Sequence, residues 1–387
     1  MKKIAVFLGD WFWSSIPYDG IPLYNLLSKH FETDLIMFDR DIRLNKSTFK
    51  NGEKFKFNSD IFRNASNLKT IKDWNSLQII STNYDLILSS SHIAPKTRYP
   101  LSFKMTKKAG RVTKCPIAIW DIGGADFLTN GTIFADYFFA KGPIWKKWLM
   151  KMGIAENKIF VTGSPHYDNF LESFEPYMIE RILDKDEFNK KYELQNKKKI
   201  LLMPSNPGSH KEQFRESMNS MNEMVKLCDT NNIDLLVKTY PNDYVFHESG
   251  HPYSGVYKRK YTNVPQYEFI KNKYPKIKII ESQDHFTAMK HVDKVFNMAG
   301  SHVAWETYFT DSISYATNYK KQKYYKNLSY LPDYVEFPDD RLNMHVENCK
   351  QIIEDNSKLD KNSCKDYFFN KPSILGILNG VKQLCQN

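Results

Sequence analysis

A chain of 387 residues exceeds what one hydrophobic core usually serves, since single cores seldom grow past roughly 250 residues, so two lobes are expected. Its 41% hydrophobic and 14% aromatic content supports sizeable cores, while no apolar run approaches the ~20 residues that span a bilayer, which argues for a soluble protein. The net charge of +11 suits an anionic partner, whether nucleic acid, a phosphorylated substrate or an acidic membrane face, but dispersed runs such as Lys197-Lys198-Lys199 and Lys320-Lys321 are more often solvated faces than binding tracks.

Met1 to Leu8 places basic residues before apolar ones, yet the run stops at Gly9-Asp10 without a small-residue cleavage site, so it reads as a first strand, Ile4 to Leu8. Gly9 to Ser15 then forms an aromatic-rich first βα loop. In an open α/β sheet that loop faces the ligand side, although Trp11 and Trp13 serve equally well to pack it down. A helical pattern follows from Leu23 to Phe31 and a second strand at Leu35 to Phe38, while Arg40 to Phe62 is a polar insertion without assigned structure. Tyr84 to Leu88 is a buried-type strand running into Ser89-Ser90-Ser91-His92, and Lys104 to Gly110 lies on or near the next helix. Cys115 to Trp120 is a strand followed by the loop Asp121-Ile122-Gly123-Gly124-Ala125-Asp126. Its glycines allow close backbone approach to a ligand, and Asp121 sits where a strand meets the crevice, unless it only caps a turn. Asp136 to Ala140 and Ile159 to Thr162 complete the strands of the first lobe, with a helix carrying Trp145 and Trp148 between them.

Glu172 to Asn196 is charged and helix-prone, as expected of a linker, which places a first lobe at 1–170, the linker at 171–197 and a second lobe at 198–340. The alternation restarts with strand Ile200 to Met203, loop Pro204 to Ser209, helix Glu212 to Cys228 and strand Asp234 to Lys238. A polar insertion runs to Tyr267, then strand Ile277 to Ile280 and helix Asp284 to His291. Residues 341–387 read as C-terminal helices, one from Arg341 through Ile353 and one from Ile374 to Leu384. Cys115, Cys228, Cys349, Cys364 and Cys385 are scattered and odd in number without metal-ligand spacing, which favours a reducing, cytoplasmic setting and argues against a zinc site.

The stretch Val292 to Asn318 carries the strongest functional signal. An apolar run, Lys294 to Met298, breaks at Ala299-Gly300-Ser301 before a helix through Phe309, and a second run, Ile313 to Thr317, follows. Such a βαβ unit presents free backbone N–H groups at a helix N-terminus, where phosphate is favoured; an ordinary capped turn is the bland rival.

This order of pieces resembles the GT-B glycosyltransferase superfamily, an α/β fold of two Rossmann-like lobes facing a central cleft. The run Cys115 to Asp168, with its Gly-Gly loop, Met152-Gly153-Ile154 and Ile159 to Pro165, is similar to the non-hydrolysing UDP-N-acetylglucosamine 2-epimerases. Ile200 to Pro204, Leu236 to Pro241 and Ser301-His302-Val303-Ala304-Trp305-Glu306 resemble the CDP-glycerol glycerophosphotransferases. The likeness covers most of the chain from about Cys115 onward, and its motifs are specific in combination.

By that resemblance the donor-binding residues are Ser205, Asn206, Lys238, Tyr240, Gly300, Ser301, His302 and Glu306. Gly300, Ser301 and His302 hold the donor pyrophosphate, and Glu306, roughly 7–8 Å along the helix at 1.5 Å per residue, accepts from the ribose hydroxyls. Trp120 to Gly124 replaces the epimerases' His-x-Glu-Ala-Gly segment and the transferases' His-Gly, and Tyr240 replaces a family histidine, which favours sugar transfer. The expectation is an inverting, metal-independent glycosyltransferase using a nucleotide-linked donor as substrate and no cofactor. Asp121 is the first choice of base, with Asp10 and His92 next, and Lys238 and His302 neutralise leaving-group charge, although a strand-end lysine more often only salt-bridges. The expected acceptor is a bacterial surface polysaccharide or lipid-linked glycan, at the cytoplasmic face of an anionic membrane. Transfer of a CDP-linked polyol phosphate is the alternative. Nucleic acid is not an expected partner, because no RNA- or DNA-binding motif accompanies the charge.

Overall fold

The computed structural model describes residues 2–8, 20–38, 67–72, 74–90, 113–122, 135–151, 153–172, 174, 182–204, 211–238, 266–275, 277–281, 284–298, 303–317, 342–369 and 371–386. The chain divides into two compact units, one of Met1–Lys46, Lys56–Ile179 and Lys365–Asn387, the other of Ser47–Phe55 and Glu180–Cys364.

The first unit is built on a parallel sheet of β1 (Lys3–Leu8), β2 (Glu32–Phe38), β3 (Leu68–Ile71), β4 (Leu86–Ser90), β5 (Ile117–Ile122), β6 (Tyr137–Ala140) and β7 (Ile159–Val161), in the order β3-β2-β1-β4-β5-β6-β7. Its described α-helices are α1 (Ile21–Leu27), α2 (Trp74–Ile80), α3 (Pro143–Lys151) and α4 (Pro165–Asp168). β1 reads as a nearly continuous apolar run because both faces of a parallel sheet are covered. Ile4, Val6 and Leu8 point into one cluster with Leu23, Leu35 and Leu86, while Ala5 and Phe7 point into another with Ile36, Leu77 and Ile87.

The second unit opens with α5 (Lys185–Lys191), held by a capping box in which Asp184 accepts from the Glu187 N–H at 2.9 Å and Glu187 returns a bond to the Asp184 N–H at 3.1 Å. Then come β8 (Lys199–Met203), α6 (Lys211–Asn231), β9 (Asp234–Val237), α7 (Gln266–Lys273), β10 (Lys278–Ile279) and α8 (His285–His291). β11 (Lys294–Asn297), α9 (Val303–Glu306), β12 (Ile313–Thr317), β13 (Asn343–Val346) and α10 (Cys349–Glu354) complete it. Its parallel sheet runs β10-β9-β8-β11-β12-β13. Met218, Met221, Met224 and Cys228 line one stripe of α6 and pack with Ile200 and Leu202 of β8 and Ile352 of α10.

The tail departs from expectation. Within the span expected as one helix through Ile353, Asn343–Val346 is the edge strand β13, paired in parallel with β12 from Ser314 to Thr317, and α10 follows it. A ready strand edge outweighs local helical preference. The strand β3 and the helices α2 and α7 also lie where no element is expected from the sequence. The expected helix at 104–110 and the insertion at 40–62 lie outside the described residues. None of the five cysteines is in a disulfide. Among the described residues no helix is long and apolar enough to cross a membrane.

The last helix, α11 (Ser373–Gln386), returns to the first unit and buries Ile374, Ile377, Leu378 and Val381, a spacing of one face. Gly380 allows that close approach, since a Cβ there would stand 2.5 Å from the Phe139 ring. Its N-terminus is capped from outside: the Asp168 carboxylate, at the end of α4, accepts from the Ser373 N–H at 2.8 Å and the Ile374 N–H at 2.9 Å. Burial pushes the Asp168 pKa up to about 7 from an ordinary 3.8, against the pull of those two N–H donors. A carboxyl that binds its proton more tightly when folded contributes stability in full below its unfolded pKa, and this is lost as pH rises through about 7. Asp168→Asn, which keeps one acceptor and cannot ionise, is therefore expected to flatten the fall in melting temperature between pH 4 and 8. Asp168→Ala, which orphans both donors, is expected to cost about 1–3 kcal/mol near pH 4, a cost that shrinks as pH rises through about 7 because the wild type loses stability there and alanine does not titrate. Parallel melting curves for wild type and Asp168→Asn across that range remove the assignment.

Candidate functional site

In the second sheet the order of connection reverses between β8 and β11, and in open α/β sheets ligands sit outside the carboxyl ends of strands at such a point. Three described side chains gather along that edge. Lys238 follows β9, with its N–H donating to the Leu202 carbonyl at 3.0 Å. His285 opens α8, after β10, and Glu306 closes α9, after β11. Although 21 residues apart in the chain, the His285 Nε2 and a Glu306 carboxylate oxygen lie 2.6 Å apart, and both side chains are buried. With the carboxylate ionised, which can only accept, Nε2 is the donor of this pair. Lys238 is buried too. Burial pushes its ammonium pKa down, and the negative charge of Glu306 opposes that shift.

Both carriers of the pair are anchored. Asp284, immediately before α8, accepts from the Tyr192 hydroxyl and lies 2.6 Å from the Lys191 ammonium of α5, while the Glu281 N–H donates to the Tyr192 oxygen at 2.9 Å. Burial and the bond to Asp284 raise the pKa of the Tyr192 hydroxyl, which keeps it a donor. On the other side Val303, Ala304, Trp305 and Glu306 are all buried. The 3₁₀ turn that follows, Thr307–Phe309, is closed by the Lys361 ammonium, which donates to the carbonyls of Thr307, Thr310 and, at 3.2 Å, Ser312.

Of the residues singled out from sequence, Lys238 and Glu306 are brought into one cluster. The expected helix through Phe309 is described from Val303 on, as an α-turn, Val303–Glu306, that tightens into the 3₁₀ segment Thr307–Phe309. Asp121 lies within β5, which runs to Ile122, where the expected strand stops at Trp120. The pairing with β6 shifts register between Ile119 and Ile122, and such irregularities recur beside active sites because they re-aim a side chain. The Trp120 indole N–H is buried with no hydrogen-bond partner among the described residues. The side chain of Asp121, and Asp10, His92, Ser205, Asn206, Tyr240, Gly300, Ser301 and His302 altogether, lie outside the described residues. His285 is a member that sequence reasoning misses. A histidine after Asp284 at a helix start carries no local signal of a carboxylate one strand further on.

No protein-family model and no curated protein sequence matches the chain. Solved structures do. UDP-GlcNAc 2-epimerase from Neisseria meningitidis bound to UDP-GlcNAc superposes with a TM-score of 0.57 at 16% identity, covering 100% of both chains. The UDP-GlcNAc 2-epimerase from Methanocaldococcus jannaschii gives 0.56 at 15% identity, again over 100% of both chains. The wall teichoic acid polymerase TagF gives 0.54 at 11% identity, over 100% of this chain and 90% of that one. At such identities the likeness is one of fold: the chain is an α/β protein of two parallel sheets with the GT-B architecture.

Proposed function

We propose that the chain is a GT-B enzyme acting on a nucleotide-linked substrate, and within that class an inverting glycosyltransferase. It moves a sugar from a nucleotide-activated donor to a bacterial surface polysaccharide or lipid-linked glycan. The observation that carries the reading is the buried cluster of Lys238, His285 and Glu306 at the carboxyl ends of the second sheet, in a fold whose solved examples include an enzyme bound to UDP-GlcNAc. Buried ionisable groups gathered at such an edge are costly unless they serve a ligand or one another. The sequence Trp120 to Gly124, in place of the epimerases' His-x-Glu-Ala-Gly, supports transfer over epimerisation.

In this mechanism a base takes the proton of the acceptor hydroxyl as its oxygen bonds to the anomeric carbon, and the bond from that carbon to the nucleotide's terminal phosphate oxygen breaks. Asp121 is assigned as base, with Asp10 and His92 the next candidates. Lys238 and His302 take up the charge on the departing diphosphate, and Ser205, Asn206, Tyr240, Gly300 and Ser301 complete the donor side. A cytoplasmic location, peripheral to an anionic membrane, accords with the net charge of +11. The second reading, transfer of a polyol phosphate from a CDP-linked donor, is favoured by the likeness to TagF with CDPG, while Tyr240 in place of that family's histidine speaks for the first.

Nucleoside diphosphates decide between donors. UDP or CDP is expected to raise the melting temperature in proportion to its affinity, since a ligand bound only by the folded chain stabilises it. Lys238→Met is expected to weaken diphosphate binding about 10- to 150-fold, the worth of one hydrogen bond to a charged group, while nucleoside binding changes little. Equal losses for nucleoside and diphosphate remove Lys238 from the phosphates. For the base, Asp121→Asn and Asp10→Asn are each measured for donor turnover. Asp121→Asn is expected to lower kcat about 100-fold or more, as loss of general base catalysis does, and full activity in both variants ends the assignment.

A further inference from the structure

We propose that His285 is the positioning residue that gives this site its preference for ribose over deoxyribose, by fixing the carboxylate of Glu306. The inference rests on the reading that Glu306 faces the ribose of a bound nucleotide. A carboxylate that must accept from a particular hydroxyl has to hold one orientation, and a glutamate with three side-chain torsions does not do so unaided. The bond from His285 Nε2 at 2.6 Å supplies that restraint, in a buried setting where a charge-assisted hydrogen bond is strong. A carboxylate offers about four lone-pair sites, so accepting from one imidazole N–H leaves it able to accept from a hydroxyl as well.

The restraint is rigid at both ends. His285 stands at the first position of α8, next to Asp284, which the Tyr192 hydroxyl and the Lys191 ammonium hold from α5. Glu306 ends α9, whose 3₁₀ continuation is clamped by Lys361. Lys238 adds positive charge in range of Glu306 without standing in for the imidazole, because its influence is electrostatic and sets no plane for the carboxylate. A group that serves stability alone would tie these elements together without favouring one sugar. A positioning group changes the ratio of two affinities.

The test is calorimetric. The dissociation constants of UDP and 2′-deoxy-UDP, or CDP and 2′-deoxy-CDP if the cytidine nucleotide binds better, are measured for wild type, His285→Phe, His285→Gln and Glu306→Gln. Wild type is expected to prefer the ribonucleotide by about tenfold or more, the worth of a hydrogen bond to a charged acceptor. His285→Phe is expected to bring that ratio to within about threefold of unity by weakening the ribonucleotide alone. His285→Gln, whose amide nitrogen reaches the position of Nε2, keeps most of the preference. If His285→Phe does not fold, His285→Asn, too short to reach Glu306, replaces it with the same expected collapse. An unchanged ratio in the variant, or equal weakening of both nucleotides, overturns the role of His285. If Glu306→Gln keeps the wild-type ratio, or wild type binds no nucleoside diphosphate, the placement of Glu306 on ribose fails and the inference falls with it. If Glu306→Gln collapses the ratio and His285→Phe does not, only the positioning role is lost.

Discussion

Parallel strands are joined by crossovers, each of which lays a helix on one face of the sheet, so both faces must be apolar and every strand must point the same way. This constraint governs both units. β1 and β8 are buried along almost their whole length, with alternate side chains feeding clusters on opposite faces of the first sheet. It also explains why the chain comes back: α11 supplies Ile374, Ile377 and Val381 to the face of the first sheet shared with Ile4 and Val6. Above all it sends every βα loop to one edge. Lys238, His285 and Glu306, drawn from three crossovers, meet there because the direction of the strands leaves them no other edge.

Two buried carboxylates in this chain are stabilised in contrasting ways. Asp168 is answered by two backbone N–H groups of α11, donors without formal charge, and burial still drives its pKa up to about 7. Glu306 is answered by an imidazole N–H and by the charge of Lys238. At Asp168 the two N–H donors do not offset burial, whereas Glu306 has the positive charge of Lys238 acting on it through space. Leaving one buried partner of a hydrogen bond unsatisfied costs about 1–3 kcal/mol, more where it is charged, so His285 and Glu306 depend on one another.

Much of the framework was legible in the sequence because parallel strands are short continuous apolar runs. Ile4 to Leu8, Ile200 to Met203 and Ile313 to Thr317 all stand within a residue or so of their strands. β13 was not, since Asn-Met-His-Val has neither a buried run nor clean alternation and is a strand because β12 offers it an edge. β3, with only Ile71 fully buried, hides for the same reason. In the site, Lys238 and Glu306 were legible through their positions after strands and within motifs. His285 was not, because its partner is fixed by the path of α8 back across the sheet to β11, a property of three dimensions that leaves no trace in local spacing.

Two sources of attraction for an anion can be compared at this edge. Aligned peptide dipoles act like a partial charge at a helix end, worth about 0.3–1 kcal/mol to a nearby anion within the terminal turn. A lysine ammonium 4 Å from a phosphate is worth about 4 kcal/mol at an effective dielectric of 20, so on the proposed reading, with a charged Lys238 against the diphosphate, the lysine outweighs the dipole as a source of attraction. Its charge also acts on Glu306, so the cation and the carboxylate of this cluster are coupled through space. On the proposed reading the two ends of a nucleotide are served by different members of one cluster: His285 orients the acceptor of the sugar hydroxyls through its bond to Glu306, and Lys238 supplies positive charge to the diphosphate.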